Sequence, residues 1–243
     1  MTNARSLHWG MTKINLTPAF LIHRRAFKDS SLLLDFFTQE HGKIRLVGRG
    51  LRKSKTPLQM FQHMKISFSG KGELKTLTTW EADDEPRNLQ GEVLILGIYT
   101  NELIARLMQE HDPHIDLFKV YRKFISKITH LEVQQRHWSL RLFENALLSE
   151  LGYGHDLAED INGDSIVQTA YYEYQAQSGF MRSEIGKISG STILCMLAQD
   201  ILDMPDAEQL KRCRDLNRAR LQLLLGNKPL QSRALFFTNN RTE

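Results

Sequence analysis

The chain has 243 residues, 41% apolar and 25% charged, the ordinary balance of a soluble globular protein with one large domain or two modest ones. Its two cysteines, Cys195 and Cys213, lie far apart in sequence; they exclude a disulfide framework or a Cys-rich zinc site and fit buried, reduced thiols in a reducing cytoplasm. The net charge of +4 is unevenly spread: residues 1–88 hold 15 Lys/Arg against 8 Asp/Glu, the remainder 17 against 20, an asymmetry that points to a polyanionic partner for the N-terminal third.

Residues 1–16 are polar and pattern-free and are expected to be flexible. Residues 19–27 read as a strand, followed by the turn Lys28-Asp29-Ser30-Ser31. Residues 32–38 are strongly apolar, either a strand buried on both faces or a short buried helix. Gln39-Glu40-His41-Gly42 reads as a hairpin turn, with Gly42 free to take a positive φ. Residues 44–49 form the next strand, with Ile44, Leu46 and, after one slip, Val47 facing in and Arg45 facing out.

A loop containing Pro57 covers residues 51–59. Residues 64–69 make a fourth strand, Gly70-Lys71-Gly72-Glu73 a tight turn, and residues 74–82 a fifth strand with Leu74, Thr76, Thr78 and Trp80 on one face. Five short strands without a long intervening helix predict a small antiparallel barrel; an OB-fold and an SH3-like barrel share that pattern.

The acidic, proline-containing link Asp83-Asp84-Glu85-Pro86 marks the boundary to a helical part. Helices are predicted over 89–110, 113–129 and 133–151, the last capped by Gly152, then over 191–202, with Ser191 as cap, and 206–225, closed by Gly226. Between them, residues 153–190 are polar and Gly-rich with a possible hairpin at 171–181; the tail carries Pro229 and the pair Phe236-Phe237. The most apolar run, residues 93–108, is broken by Asn101, Glu102 and Arg106 and is too short for a bilayer, so no membrane contact is expected. Residues 1–10 lack the apolar core of a signal peptide.

No nucleophile elbow, Walker loop or metal-ligating histidine spacing occurs. His111 and His114 flank a predicted helix start, and the carboxylate pairs Asp83-Asp84 and Glu159-Asp160 sit in predicted exposed links. The chain therefore reads as a non-enzyme with no catalytic residues, no metal and no cofactor.

Binding is the better reading. Residues 43–55 carry Lys43, Arg45, Arg49, Arg52, Lys53 and Lys55 and no acid: a basic strand face running into a glycine-punctuated basic loop. Arg24, Arg25, Lys71 and Lys75 extend that surface, and Phe27, Phe61, Phe68 and Trp80 are available to stack on bases, if they are not barrel core. The alternative from another class is an interaction scaffold whose barrel binds acidic partner tails without contacting DNA.

Several stretches resemble the bacterial DNA repair protein RecO family: Ala19-Phe20-Leu21-Ile22-His23-Arg24-Arg25, Asp29-Ser30-Ser31-Leu32-Leu33-Leu34-Asp35-Phe36-Phe37-Thr38, and Gly42-Lys43-Ile44-Arg45-Leu46-Val47-Gly48-Arg49-Gly50-Leu51-Arg52. Leu151-Gly152-Tyr153-Gly154 and Gly226-Asn227-Lys228-Pro229-Leu230-Gln231-Ser232-Arg233 continue the resemblance in order. It implies an α+β chain: an N-terminal five-stranded OB-fold barrel over residues 17–85, then a mainly α-helical domain over 86–243.

The same resemblance implies a recombination mediator that binds single- and double-stranded DNA and anneals complementary strands. With RecR, it would help load RecA onto DNA coated by the single-stranded DNA-binding protein, in the bacterial cytoplasm at the nucleoid. It places the DNA-binding surface on Lys43, Arg45, Arg49, Arg52, Lys53 and Lys55. It also implies a pocket for the C-terminal tail of the single-stranded DNA-binding protein, with Arg141, Leu147 and Leu151 as candidates: a cation for the carboxylate beside an apolar slot for the Phe ring. Many family members hold zinc through four cysteines in the segment equivalent to 153–190; this chain has none there, so a zinc-less segment packed around Tyr171, Tyr172, Tyr174 and Phe180 is expected.

Overall fold

The computed structural model describes residues 12–72 and 74–239. Two compact units arise, Met1–Asn88 with Thr100–Phe118 and Leu89–Tyr99 with Lys119–Glu243.

In the first unit, β1 (Thr12–Phe27), β2 (Ser31–Thr38), β3 (Gly42–Gly48), β4 (His63–Gly70) and β5 (Lys75–Ala82) pair in the order β1-β2-β3-β5-β4, and β1 pairs with β4 to complete the ring. That is an OB-type barrel. The β3–β5 seam is short and parallel, carried by Leu46↔Lys75 and Val47↔Thr76. β1 serves two neighbours because irregularities between Ile14 and Thr17, and between Leu21 and His23, bend it from β4 towards β2. At the first of these Leu16 takes a φ of 51° and donates its amide N–H to Ser67 Oγ at 3.0 Å. Part of the expected flexible N-terminus, Thr12–Leu16, is thus strand; residues 1–11 lie outside the described residues, as do Glu73 of the β4–β5 turn and the side chains of Phe236-Phe237.

Inside the ring pack Leu21, Leu34, Phe36, Ile44, Leu46, Met64, Ile66, Phe68 and Leu77. β3 alternates without the expected slip: Ile44 and Leu46 are buried, while Val47 shares the opposite face with Lys43 and Arg45. The expected apolar face of β5 is also corrected. Ser67 pairs with Thr79 but Phe68 with Leu77, so the extra residue Thr78 resets the alternation and turns both Leu77 and Trp80 to the core, leaving Leu74 exposed.

The first unit breaks off at Asn88, just past the predicted boundary, and takes up the chain again over residues 100–118. Residues 100–118 run along the barrel: Asn101 Nδ2 donates to the Ile22 carbonyl at 3.2 Å, and Phe118 packs on Phe20 and Phe37, with ring centroids 5.6 and 5.5 Å away. Phe20 and Phe37 stand outside the interior cluster, so this segment supplies their burial. Gly42, at φ +62°, is needed here, because an added Cβ would collide with the Asp112 carbonyl. Nor is Asp83-Asp84 a loose link. Asp84 accepts the His63 amide N–H at 2.9 Å and pairs with Arg87 at 2.6 Å; Asp83 lies 2.9 Å from Lys65 and 2.8 Å from His63.

Helices and a small sheet build most of the second unit. α1 (Gly91–Leu107) begins in it, followed by α2 (Ile115–Lys127) and α3 (Val133–Leu148), which ends in a π-turn over Ser149–Tyr153 with Gly152 at φ 81°. β6 (Tyr171–Gln175), β7 (Gly179–Arg182) and β8 (Ile188–Ser189) form a sheet of order β7-β6-β8, extending the expected hairpin by one strand. Tyr172 and Phe180 are buried in a cluster with Trp138, Ile193 and Cys213, with Tyr174 at its margin; Tyr171, expected to pack there, is exposed.

α4 (Gly190–Cys195) is capped by Ser189, whose Oγ accepts the Thr192 N–H, and not by Ser191. It stops seven residues short of the predicted end because its following carbonyls are engaged by α3: Asn145 Nδ2 donates to Met196 O and Trp138 Nε1 to Asp200 O. α5 (Ala207–Leu225) is capped by Asp206 and closed by Gly226 at φ 63°, and α6 (Gln231–Asn239) follows.

Candidate nucleic-acid interface

The run of residues 43–55 divides at Gly48, where β3 ends. On the strand, Lys43 and Arg45 are engaged. Lys43 Nζ donates to the Ala105 carbonyl at 2.7 Å, and its carbonyl accepts the His111 N–H at 3.0 Å. Burial lowers the Lys43 ammonium pKa against the pull of Glu110 and Asp35. Arg45 lies directly across from Asp35 on β2; its Nε and Nη2 donate to the two carboxylate oxygens at 2.6 and 3.3 Å, and Nη1 lies 3.5 Å from Glu110. That hydrogen bond with Asp35 raises the guanidinium pKa further. Both cations are committed to acceptors within the protein and offer phosphates little.

Beyond Gly48 the arrangement reverses. Arg49, Arg52, Lys53 and Lys55 are exposed, with no ion-pair partner among the described residues. The loop backbone is held by its own chemistry. Gly50 takes φ 72°, a single 3-10 turn spans Leu51–Lys53, and Leu51 packs on the barrel core against Gly48. The Arg52 N–H donates to the Ser30 carbonyl at 3.1 Å, which seats the loop against the β1–β2 turn.

The other candidates divide in the same way. Arg25 is exposed, and its partner residue on β2, Leu33, pairs in turn with Val47. Arg24 Nη1 caps the Leu58 carbonyl at 3.0 Å, holding the far end of the basic loop. Lys71 is exposed in the β4–β5 turn, and Lys75 is half-buried at the seam beside Leu46. Of the aromatics, Phe61 and Phe68 are buried, and Phe27 and Trp80 are half-buried.

Two cations join the surface that the sequence reading passed over. Lys28 is exposed in the turn that receives the loop, with Nζ 5.5 Å from the Phe27 ring centre. Lys13, on β1, pairs with Ser69 beside the Lys71 turn. Lys28 was hidden by its turn context and Lys13 by an apparently pattern-free N-terminus.

The three tail-pocket candidates on and after α3 do not converge. Arg141 is 4% exposed and binds Glu144, which is 2% exposed, at 2.9 Å. Leu147 is fully buried core, and Leu151 is half-buried in the π-turn. Glu144 also accepts from Tyr99 at 2.7 Å and Asn217 at 3.1 Å, so this is a structural network, and it pushes the Tyr99 hydroxyl pKa well up through burial and the adjacent carboxylate. α3 instead borders two cavities. One, of about 440 Å³, is lined by Leu96, Leu140, Arg141, Arg214, Arg218 and Arg233. The other, of about 450 Å³, takes Lys123, Phe124, Lys127, Leu131, Leu142 and Ala146 among its walls. No group of three or more His, Cys, Asp or Glu side chains able to hold a metal ion occurs among the described residues, and no described helix is long and apolar enough to cross a membrane.

The N-terminal model of the recombination protein O family matches residues 11–84, and its C-terminal model matches residues 89–234. The chain belongs to the RecO family. Its similarity extends to proteins described as DNA repair protein RecO. That of Coxiella burnetii is 35% identical over 237 residues, covering 93% of this chain and all of the relative. That of Psychromonas ingrahamii is 37% identical over 228 residues (90% and 96%), and that of Halorhodospira halophila 34% over 225 residues (90% and 95%). The RecO N-terminal match ends at Asp84, the residue that closes the β4–β5 end of the barrel.

Proposed function

We propose that this chain is a DNA-binding recombination mediator of DNA repair, acting in the bacterial cytoplasm at the nucleoid. It would bind single- and double-stranded DNA and anneal complementary strands. With RecR it would promote loading of RecA onto DNA coated by the single-stranded DNA-binding protein. The observation that carries this reading is the ordered, unpaired cationic loop Arg49, Arg52, Lys53 and Lys55 on an OB-type barrel, flanked by Arg25 and Lys28. The relatives' description as DNA repair proteins supports it.

Annealing asks for no bond chemistry. It needs two phosphate backbones held close while their repulsion is screened, and exposed guanidinium and ammonium groups do that. Lys43 and Arg45 then act as anchors of the barrel rather than as phosphate ligands.

For the acidic, Phe-ended tail of the single-stranded DNA-binding protein, the cavity beside Phe124, Leu131 and Leu142 gives the better fit. It offers an apolar slot for the ring and Lys123 and Lys127 for the carboxylates. Lys127→Glu should weaken binding of a tail peptide, whereas Arg218→Glu, in the other cavity, should not; the opposite result moves the tail to the arginine-lined cavity.

The test of the main reading is a titration of a fluorescent single-stranded oligonucleotide at several salt concentrations. About six phosphate contacts imply a slope of log affinity against log salt near −4. Salt-insensitive behaviour, or no binding together with capture of an acidic peptide by the barrel, would favour the scaffold reading instead.

A further inference from the structure

Cys195 and Cys213 lie on different helices, α4 and α5, yet share one site. Gln209 Nε2 donates to Thr192 Oγ1 at 3.2 Å, and Cys213, one turn further along the same face of α5, has its Sγ 4.0 Å from the Thr192 carbonyl. Cys195 lies three residues after Thr192, on the same face of α4, and packs against the apolar cluster that contains Cys213. Both thiols thus lie at one apolar cluster beside Thr192.

Their surroundings differ in a chemically useful way. Cys213 is fully buried and Cys195 only half-buried, so an oxidant reaches Cys195 first. The neighbouring Cys213 thiol lowers the Cys195 thiol pKa, against burial and the nearby Asp206 carboxylate. The Cys195 thiol and burial push the Cys213 pKa up. The accessible sulfur is placed to attack and its buried neighbour to resolve, the division of labour found in redox-sensitive cysteine pairs.

We propose that Cys195 and Cys213 form a reversible oxidation site for hydroperoxides, closing an intramolecular disulfide between α4 and α5. The Cys195 thiolate attacks a peroxide oxygen; an S–O bond forms, the O–O bond breaks, and the departing hydroxide takes up a proton as water (or leaves as an alcohol from an organic hydroperoxide). The Cys213 thiol then loses its proton and attacks the sulfenic sulfur, forming the S–S bond and expelling the sulfenic hydroxyl as water. Two thiols lose two electrons in all and the peroxide gains them. Because β8 runs straight into α4 through the Ser189 cap, the bond ties the β6–β8 sheet to α5. Thiol reductants restore the open form.

Full-length protein treated with hydrogen peroxide, blocked with N-ethylmaleimide and digested without reduction tests this. The expected result is one peptide pair joined through Cys195 and Cys213, a whole-protein loss of the mass of two hydrogens, and recovery with dithiothreitol. In Cys213→Ala the sulfenic acid at Cys195 should accumulate and be trapped by dimedone; in Cys195→Ser, Cys213 should stay unmodified in the folded protein. Peroxidation of wild-type Cys195 to sulfinic acid with no joined peptide, or disulfides found only between molecules, overturns the proposal. The wild-type mapping decides it whether or not Cys213→Ala is stable.

Discussion

The two halves of the basic run, Lys43–Gly48 and Arg49–Lys55, both carry Lys and Arg and no acid, yet they are opposite in situation. On the strand half each cation has an internal partner: Lys43 the Ala105 carbonyl, Arg45 the carboxylates of Asp35 and Glu110. On the loop half the backbone is held, by Gly50, Leu51 and the Arg52–Ser30 hydrogen bond, while the charges are left free. Positive charge in a sequence therefore carries two meanings, a fastening or a ligand. What separates them is whether another part of the chain brings an acceptor within about 3 Å.

The sharpest break of this comparison lies in the helical unit, where Arg141 is the extreme case of a fastened cation. Glu144→Ala should leave its guanidinium buried beside no carboxylate and lower stability by about 3–5 kcal/mol, read from denaturant melts. An unchanged midpoint would mean that the network with Tyr99 and Asn217 contributes little.

Next comes the loop. Charge reversal of Arg49, Arg52 and Lys53 together should weaken oligonucleotide binding about 100-fold or more at moderate salt, with the thermal melt unchanged. If the triple variant still bound normally, the phosphate site would have to lie elsewhere on the molecule.

The strand half should behave in the reverse manner. Arg45→Ala should cost about 1 kcal/mol of stability through loss of the two-point contact with Asp35, and should leave DNA affinity within about twofold. A large loss of affinity there would erase the distinction between the two halves.

The smallest effect is expected at another fastened cation, Lys65. Its hydrogen bond holds the Asp83 carboxyl below the usual carboxylate range. A carboxylate with a lowered folded-state pKa adds stability above its unfolded value, and that stability fades as pH falls through the lowered one. Asp83→Asn should therefore slightly reduce stability near neutrality and flatten the acid side of the stability–pH curve.

Local pattern carried much of the fold. Ile44 and Leu46 at alternate positions between Gly42 and Gly48 suffice to predict β3 and to turn Arg45 outward. Asp206 before an apolar-periodic run and Gly226 after it bound α5 to within a residue. The pattern was misleading wherever one residue was added or a remote group intervened. Thr78 bulges β5 and exchanges its faces, Ser189 rather than Ser191 caps α4, and Asn145 and Trp138 engage the carbonyls after Cys195.

For the candidate nucleic-acid surface, the sequence by itself determined that the barrel is basic, that residues 43–55 hold no acid, and that a strand gives way to a loop near Gly48. These follow from composition and from two-residue alternation, which are local properties. Only the tertiary structure decided which cations remain available. The partners of Lys43 and Arg45 at Ala105 and Glu110 stand some 60 residues further along the chain, and Cys213 meets Cys195 only because α5 packs on α4. Pairings over such separations depend on how the elements pack together, and no local periodicity encodes them.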